Sequence, residues 1–364
     1  MIRCKLCVMP NTRPDTPFVD GVCQACINYA RRPEIDWDAR KQELLDLLDR
    51  HDGRCIVPSS GGKDSHFQVM TLLELGADVT AVTASTCHLT KIGRMNLDNL
   101  ARHVRTIEVT PNKSVRAKLN KIGFELVGDP SWPEHIGIHR VPFRVAHQIG
   151  VPLIFFGECP NNAYGGPDGT EHTREMTLRW TAEFGGFLGL RTKDVIGMNG
   201  ITERDMRDYE APTQEELDAA GVKAYFLGQF IGPWNSHENA AVAKDAGMIQ
   251  VLPCAANWWN AENLDNLDTW QHDHLCYRKY GYGRLCMQLS IDIRHGLWDR
   301  ETALELVKMR DGLIPEIYAA TDIEDGLNRI GITREQMFKM MDAFTNWSLF
   351  DRVEDGRPIL KEFV

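Results

Sequence analysis

Between residues 55 and 65 the chain reads Cys55-Ile56-Val57-Pro58-Ser59-Ser60-Gly61-Gly62-Lys63-Asp64-Ser65. A short apolar run enters this segment, and an amphipathic run with Phe67, Val69, Met70, Leu72 and Leu73 leaves it. That order is strand, glycine turn, helix start. Such a turn aims several backbone N–H groups at one point against a helix N-terminus, where an anion can be held. Gly61 and Gly62 lack a Cβ, so the backbone can approach a ligand closely. Ser60 and Ser65 add hydroxyls, and Lys63 adds a positive charge. Asp64 is out of place in a bare phosphate cradle; it suits a helix cap or an ally of a bound magnesium ion. The spacing fits neither G-x-x-x-x-G-K-[ST] nor G-x-G-x-x-G. The plain alternative is an ordinary turn with a capped helix.

Around this turn, short apolar strands alternate with helices. Candidate strands are residues 54–58, 79–84, 104–109, 153–156 and 224–230. Candidate helices are 38–50, 65–75, 93–103, 114–122, 141–149, 174–184, 213–220 and 236–245. The alternation predicts an α/β fold with a doubly wound parallel sheet. Ligands of such sheets bind at the carboxyl ends of the strands, so the loops that matter begin at Ser59, Ser85, Thr110, Gly157 and Ile231. From about residue 251 the pattern becomes mainly helical. The expected organisation is a metal-bound ribbon over 1–35, the α/β domain over 36–250 and a helical region over 251–364 packed on the sheet.

Cys4-x-x-Cys7 and Cys23-x-x-Cys26 are separated by fifteen residues, a zinc spacing. Four thiolates complete a tetrahedral site with no open position, so the expected role of the zinc is structural. The other six cysteines are scattered, which favours a reducing compartment over a disulfide framework. With 25% charged and 43% hydrophobic residues the chain reads as soluble and globular. It has neither a membrane-length apolar run nor a signal-peptide start, so a cytoplasmic location is expected. A net charge of -10 argues against indiscriminate nucleic-acid binding.

The string Ser60-Gly61-Gly62-Lys63-Asp64-Ser65 resembles the PP-loop of the ATP pyrophosphatases. Further stretches extend the likeness over nearly the whole chain: Ile92–Leu97, Gly128-Asp129-Pro130, Gly157-Glu158-Cys159-Pro160, Tyr164–Pro167, Trp234–Ala240, Glu262–Asp265, His272-Asp273, Gly281–Arg284 and Ser290–Arg294. Together they resemble the N-acetyl sugar amidotransferases, PP-loop enzymes of bacterial surface-glycan and lipopolysaccharide O-antigen pathways. There are departures. Family members often carry a cysteine pair around Trp132-Pro133, where this chain has Ser131 and Glu134, and an acidic residue where it has Ala163.

The resemblance implies ATP-dependent conversion of an N-acetyl group on a nucleotide-linked sugar into an amidine, with AMP and pyrophosphate released. It implies ATP, Mg2+ and structural zinc. It also implies a separate glutaminase partner that delivers ammonia through a channel; the apolar runs and net charge, taken on their own, lead us to expect no membrane partner and argue against a nucleic-acid one. Ser60, Gly61, Gly62, Lys63 and Ser65 form the expected pyrophosphate cradle, with Asp64 the expected catalytic or magnesium-linked acid. Thr83 and Ser85 are candidates for the adenine pocket, and each is equally well a simple strand end. Glu158 is a candidate for holding magnesium or orienting ammonia, and Asp273, with His272, for the site. Asn161, Asn162 and Tyr164 are candidates for sugar hydroxyls, and Arg284 and Arg294 for phosphate. Two other readings stand beside this one: an RNA-modifying PP-loop enzyme such as a tRNA thiolase, and a catalytically silent nucleotide-binding scaffold.

Overall fold

The structure is a computed structural model, described for residues 1–157, 160–167, 169–253 and 256–363. Glu158 and Cys159, and the side chain of Asn162, lie outside the described residues. The N-terminal segment holds the hairpin β1 (Phe18–Val19) and β2 (Val22–Cys23), followed by α1 (Gln24–Ala30) and α2 (Trp37–Asp49). An alternation follows: β3 (Arg54–Pro58), α3 (Lys63–Glu74), β4 (Asp78–Ala84), α4 (Lys91–Leu100), β5 (Arg105–Val109), α5 (Lys113–Val127), α6 (Trp132–Ile149) and β6 (Leu153–Phe156). Next come α7 (Pro160–Ala163), α8 (Leu178–Phe184), α9 (Glu203–Met206), α10 (Gln214–Ala219), β7 (Lys223–Phe226) and α11 (Ser236–Asp245). Beyond them lie α12 (Thr269–Tyr280), α13 (Arg284–Arg294), α14 (Arg300–Arg310), the hairpin β8 (Ile317–Tyr318) and β9 (Thr321–Asp322), α15 (Ile323–Ile330), α16 (Arg334–Ala343), and the hairpin β10 (Phe350–Glu354) and β11 (Arg357–Leu360).

Five strands form one sheet in the order β5-β4-β3-β6-β7, and every pairing in it is parallel. The chain winds outward from β3 through β4 to β5, then returns to the other side of β3 with β6 and β7. The strand order therefore reverses between β3 and β6, where open α/β sheets leave a crevice for ligands. The loop after β3 is Ser59–Gly62, beside that reversal. One face of the sheet is covered by a core around Ile56, Val141, Val145, Ile154 and Trp180, the other by one around Leu44, Val57, Val69, Leu72 and Phe155. Alternate residues of a strand point to opposite faces, so Ile56 and Val57 enter different cores. No helix of the described residues is long and apolar enough to cross a membrane.

Several expected elements have other bounds: α5 runs on to Val127, α8 starts only at Leu178, and two more differ for a clear physical reason. The helix expected from Val141 begins at Trp132, with Pro133 in its first turn and Pro142 inside it. Proline reads as a breaker because it removes a backbone bond at about 3 kcal/mol or more. Burial of Trp132, Ile136, Val141, Phe143, Val145 and Ala146 along this helix outweighs that cost. The last strand stops at Phe226 and not at Phe230, and Leu227–Gln229 turn into a 3-10 helix.

Candidate active site

Gly61 takes φ +78, and a Cβ there would lie 2.9 Å from the Leu97 backbone nitrogen, so the turn requires glycine. Ser60 N donates to Ser65 Oγ at 3.2 Å and Gly61 N to Ser59 Oγ at 3.3 Å, which closes the turn on itself. Gly62 then starts α3 with no side-chain cap. The first-turn N–H groups of a helix lack intrahelical partners and carry its positive dipole end. They line a cavity of about 170 Å³ bounded by residues 60–65 on one side and by Ala261, Glu262, Asn263, Leu264 and Asp265 on the other. A Cβ on Gly93 would lie 2.7 Å from Asp265 Cα, so α4 approaches the second wall through another glycine.

The charged groups of this cavity are linked. Lys63 is buried; its Nζ lies 2.5 Å from Asp64 Oδ2 and 3.4 Å from Glu262 Oε1. The Trp259 ring packs 5.8 Å from the same ammonium. Asn239 Nδ2 donates to Asp64 Oδ1 at 2.9 Å, so both oxygens of Asp64 are held. Gln288 Nε2 donates to Glu262 Oε2 at 2.6 Å. Burial opposes ionisation of Glu262, but Lys63, Arg284 and the Gln288 amide outweigh it, and its pKa lies below the ordinary value. Among the described residues no such cation offsets the burial of Asp265, which pushes its pKa up to about 6.

A second cavity, of about 230 Å³, adjoins the first through Ser60, Ser65 and Asp265. Thr83 and Ser85 line it, together with Val82, Leu97, Pro142 and Phe156. The two cavities place a polar cradle beside a largely apolar slot along the end of β4.

Asp273 is set back from the cradle. Its Oδ1 accepts from Arg284 Nη2 at 2.9 Å and its Oδ2 from Asn263 Nδ2 at 2.8 Å. Burial opposes the charge of Arg284, but Asp273 and Glu262 more than compensate and hold its pKa above the ordinary value. Contacts thus link Asp64, Lys63 and Glu262 on one side and Arg284 with Asp273 on the other, and the charge of Arg284 acts on Glu262 without a direct bond. His272 turns elsewhere and meets Asp129 at 2.8 Å. His274 is a satisfied internal group, bonded to Gly312 O and Arg278 Nε. Arg294 Nη2 donates to Ala163 O at 2.9 Å, which directs it to the 160–164 segment. Of the two departure positions near α6, Glu134 is buried against Arg116 and Asn120, and Ser131 N donates to Asp129 Oδ1. Glu158 cannot be placed against any of these groups, because it lies outside the described residues.

The N-terminal cysteines converge. The sulfur atoms of Cys4, Cys7, Cys23 and Cys26 lie within 4.8 Å of one another, all buried. The Cys4–Cys26 and Cys7–Cys23 separations are 3.9 and 3.7 Å. A tetrahedron with Zn–S bonds of about 2.3 Å has edges of about 3.8 Å, so this donor set fits a zinc ion. The cluster packs on Tyr282, Leu285 and Leu289 of the α12–α13 region, and Arg300 Nε donates to the carbonyls of Cys4 and Cys7 at 3.0 Å.

Residues 265–361 match the family model described as LPS biosynthesis protein WbpG-like, C-terminal domain. No curated protein matches the chain. The match supports a lipopolysaccharide-biosynthesis context and, with it, an enzyme. It begins at Asp265, in the wall of both cavities, and covers Asp273 and Arg284. Asn239, Glu262, Asp265 and Gln288 had no role assigned from sequence. Asn239 falls in the family-like stretch Trp234–Ala240, and Glu262 and Asp265 in the stretch Glu262–Asp265, but nothing in either indicated that it faces the glycine turn.

Proposed function

We propose that this chain is a PP-loop ATP-dependent amidotransferase. It adenylates the N-acetyl oxygen of a nucleotide-linked sugar and replaces that oxygen with ammonia. The observation that carries the reading is the pair of adjoining cavities at the sheet's reversal point, one cradle-like and one apolar. Their sizes and linings suit a triphosphate and an adenosine in sequence. The likeness of Ser60–Ser65 to the PP-loop and the lipopolysaccharide match of the C-terminal region point the same way.

In this reading the first-turn N–H groups of α3, the serine hydroxyls and Lys63 hold the β- and γ-phosphates. The amide oxygen attacks the α-phosphorus and pyrophosphate leaves, which turns an oxygen that is a poor leaving group into part of AMP. Ammonia then adds to the imidate carbon, a proton is lost, and the C–O bond breaks to give amidine and AMP. A magnesium ion bound with ATP supplies charge neutralisation on the phosphates. Asp64, Glu262 and Asp265 are the hard oxygen donors in the cavity that fit it. Lys63 and Asn239 hold Asp64 in one orientation. The four-cysteine ribbon, with its zinc, is structural. The chain divides into the ribbon (1–35), the nucleotide-binding domain (36–250) and a helical region (251–364). Ammonia comes from a separate glutaminase, and the setting is cytoplasmic.

The test is incubation with ATP, Mg2+, ammonia and a panel of UDP- and CMP-linked N-acetyl sugars, followed by mass spectrometry. Exchange of oxygen for NH lowers one sugar's mass by about one unit. AMP and pyrophosphate with no altered sugar would overturn the amidination, and ADP with phosphate would overturn the adenylation.

A further inference from the structure

Asp129, His135 and His272 come from three separate elements: the loop after α5, the first turn of α6 and the first turn of α12. One carboxylate oxygen and one nitrogen from each imidazole lie within 4.8 Å of one another. Asp129 Oδ2 is 2.8 Å from His272 Nδ1 and 3.9 Å from His135 Nδ1. The two imidazoles meet edge to face, 5.1 Å between centroids. A hydrogen-bonded Asp–His pair alone needs no third group. Here a second histidine lies beside the same oxygen; its Nδ1 also meets Gly186 O at 3.3 Å, and Gly186 makes room for it, since a Cβ there would lie 2.7 Å from that nitrogen.

The carboxylate is oriented as metal ligands commonly are. Ser131 N donates to Asp129 Oδ1 at 2.8 Å, which leaves Oδ2 turned to the imidazoles. The nearby Lys279 ammonium is directed to Val127 O at 2.7 Å. Arg284, the other cation close by, is paired with Asp273. The Asp129 side chain is 6% exposed, whereas those of His135 and His272 are 22% and 30% exposed. Ligand spacings of about 3 to 3.5 Å surround a cation at about 2.1 Å, and the observed separations bracket them.

We propose that Asp129, His135 and His272 form a second metal site, for a divalent transition cation bound by two imidazoles and a carboxylate. It differs in kind from the four-cysteine group. Three protein ligands with partly exposed imidazoles leave coordination positions open, as in sites whose metal binds water or substrate. The proposal does not depend on the amidation reading, because its test reads metal binding alone.

The test uses the full chain with zinc retained at the cysteines. Co2+ is titrated in and followed by visible absorption and by metal analysis. One added equivalent is expected, with weak d–d bands and none of the strong thiolate charge-transfer absorption. Asp129→Asn, which keeps an acceptor for Ser131 N, and His272→Ala should each weaken this binding by more than about tenfold while one zinc per chain remains. If one variant fails to fold, His135→Ala replaces it. Absence of Co2+ binding to the zinc-loaded protein would overturn the proposal. So would binding that is the same in the variants, or a thiolate spectrum.

Discussion

Both oxygens of Asp64 are engaged, one by Lys63 and one by Asn239, so its carboxylate faces the cavity in a fixed orientation. Asp64→Asn keeps the size and loses the charge. We expect turnover to fall by roughly 10²-fold or more while zinc content is unchanged, measured as pyrophosphate release and metal content. An active Asp64→Asn enzyme would remove this residue from the mechanism. Asp265 tests the electrostatics of the opposite wall. Its pKa rises from the usual 3.8 to about 6 on burial, so folding takes up a proton between those values. Stability therefore falls as pH rises from about 4 to 6, and the loss is complete above that window. Asp311, also held near 6 by burial, gives the same sign, so one substitution removes only part of the slope. Asp265→Asn should flatten the pH dependence of the melting temperature across this window and raise stability at pH 7 by about 1–3 kcal/mol. An unchanged slope would contradict the assignment. The contiguous residues of this site were legible in the sequence because one turn holds Ser60–Ser65. The contacts of Asn239 and Glu262 with the turn were not, because they span 175 and 199 residues and no local spacing encodes them; Gln288 does not touch the turn and supports Glu262 instead.

At the scale of elements, the cysteine segment and the C-terminal helices stabilise one another. Residues 1–35 contain little secondary structure of their own, and their four cysteines pack on Tyr282, Leu285 and Leu289. Arg3 reaches Glu362 at 2.5 Å, and Arg300 reaches the carbonyls of Cys4 and Cys7. Structural zinc contributes folding free energy directly, about 10–16 kcal/mol in small zinc peptides. Chelation should therefore expose residues 1–30 and loosen α13 and α14 while the parallel sheet stays protected. Hydrogen exchange by segment checks this; equal loss of protection in β3–β7 would contradict it. The cysteine spacing and the short apolar strands were readable in advance because each is a local pattern. The N-terminal half of α6 was not, since Pro142 argues against a helix locally and only tertiary burial of Trp132 and Ile136 overrides it.

For the whole molecule, the sheet places the glycine turn where the strand order reverses, and the C-terminal region supplies the opposite wall through Glu262 and Asp265. The α/β class followed from alternation along the chain. The closure of residues 261–265 over the turn did not, because it joins regions distant in sequence. A net charge of -10 also bears at this scale. It predicts no tight tRNA binding at physiological salt, measured by filter retention or anisotropy; tight binding with a steep salt dependence would favour the RNA-modifying alternative. The central claim is that the loop directs adenylation of an amide oxygen. The most direct measurement uses a nucleotide-linked N-acetyl sugar, taken from those turned over, with 18O in its acetyl group, and follows the label after reaction with ATP, Mg2+ and ammonia. The account predicts that the label leaves the sugar and appears in AMP; label retained in the sugar, or AMP formed without it, would contradict the account.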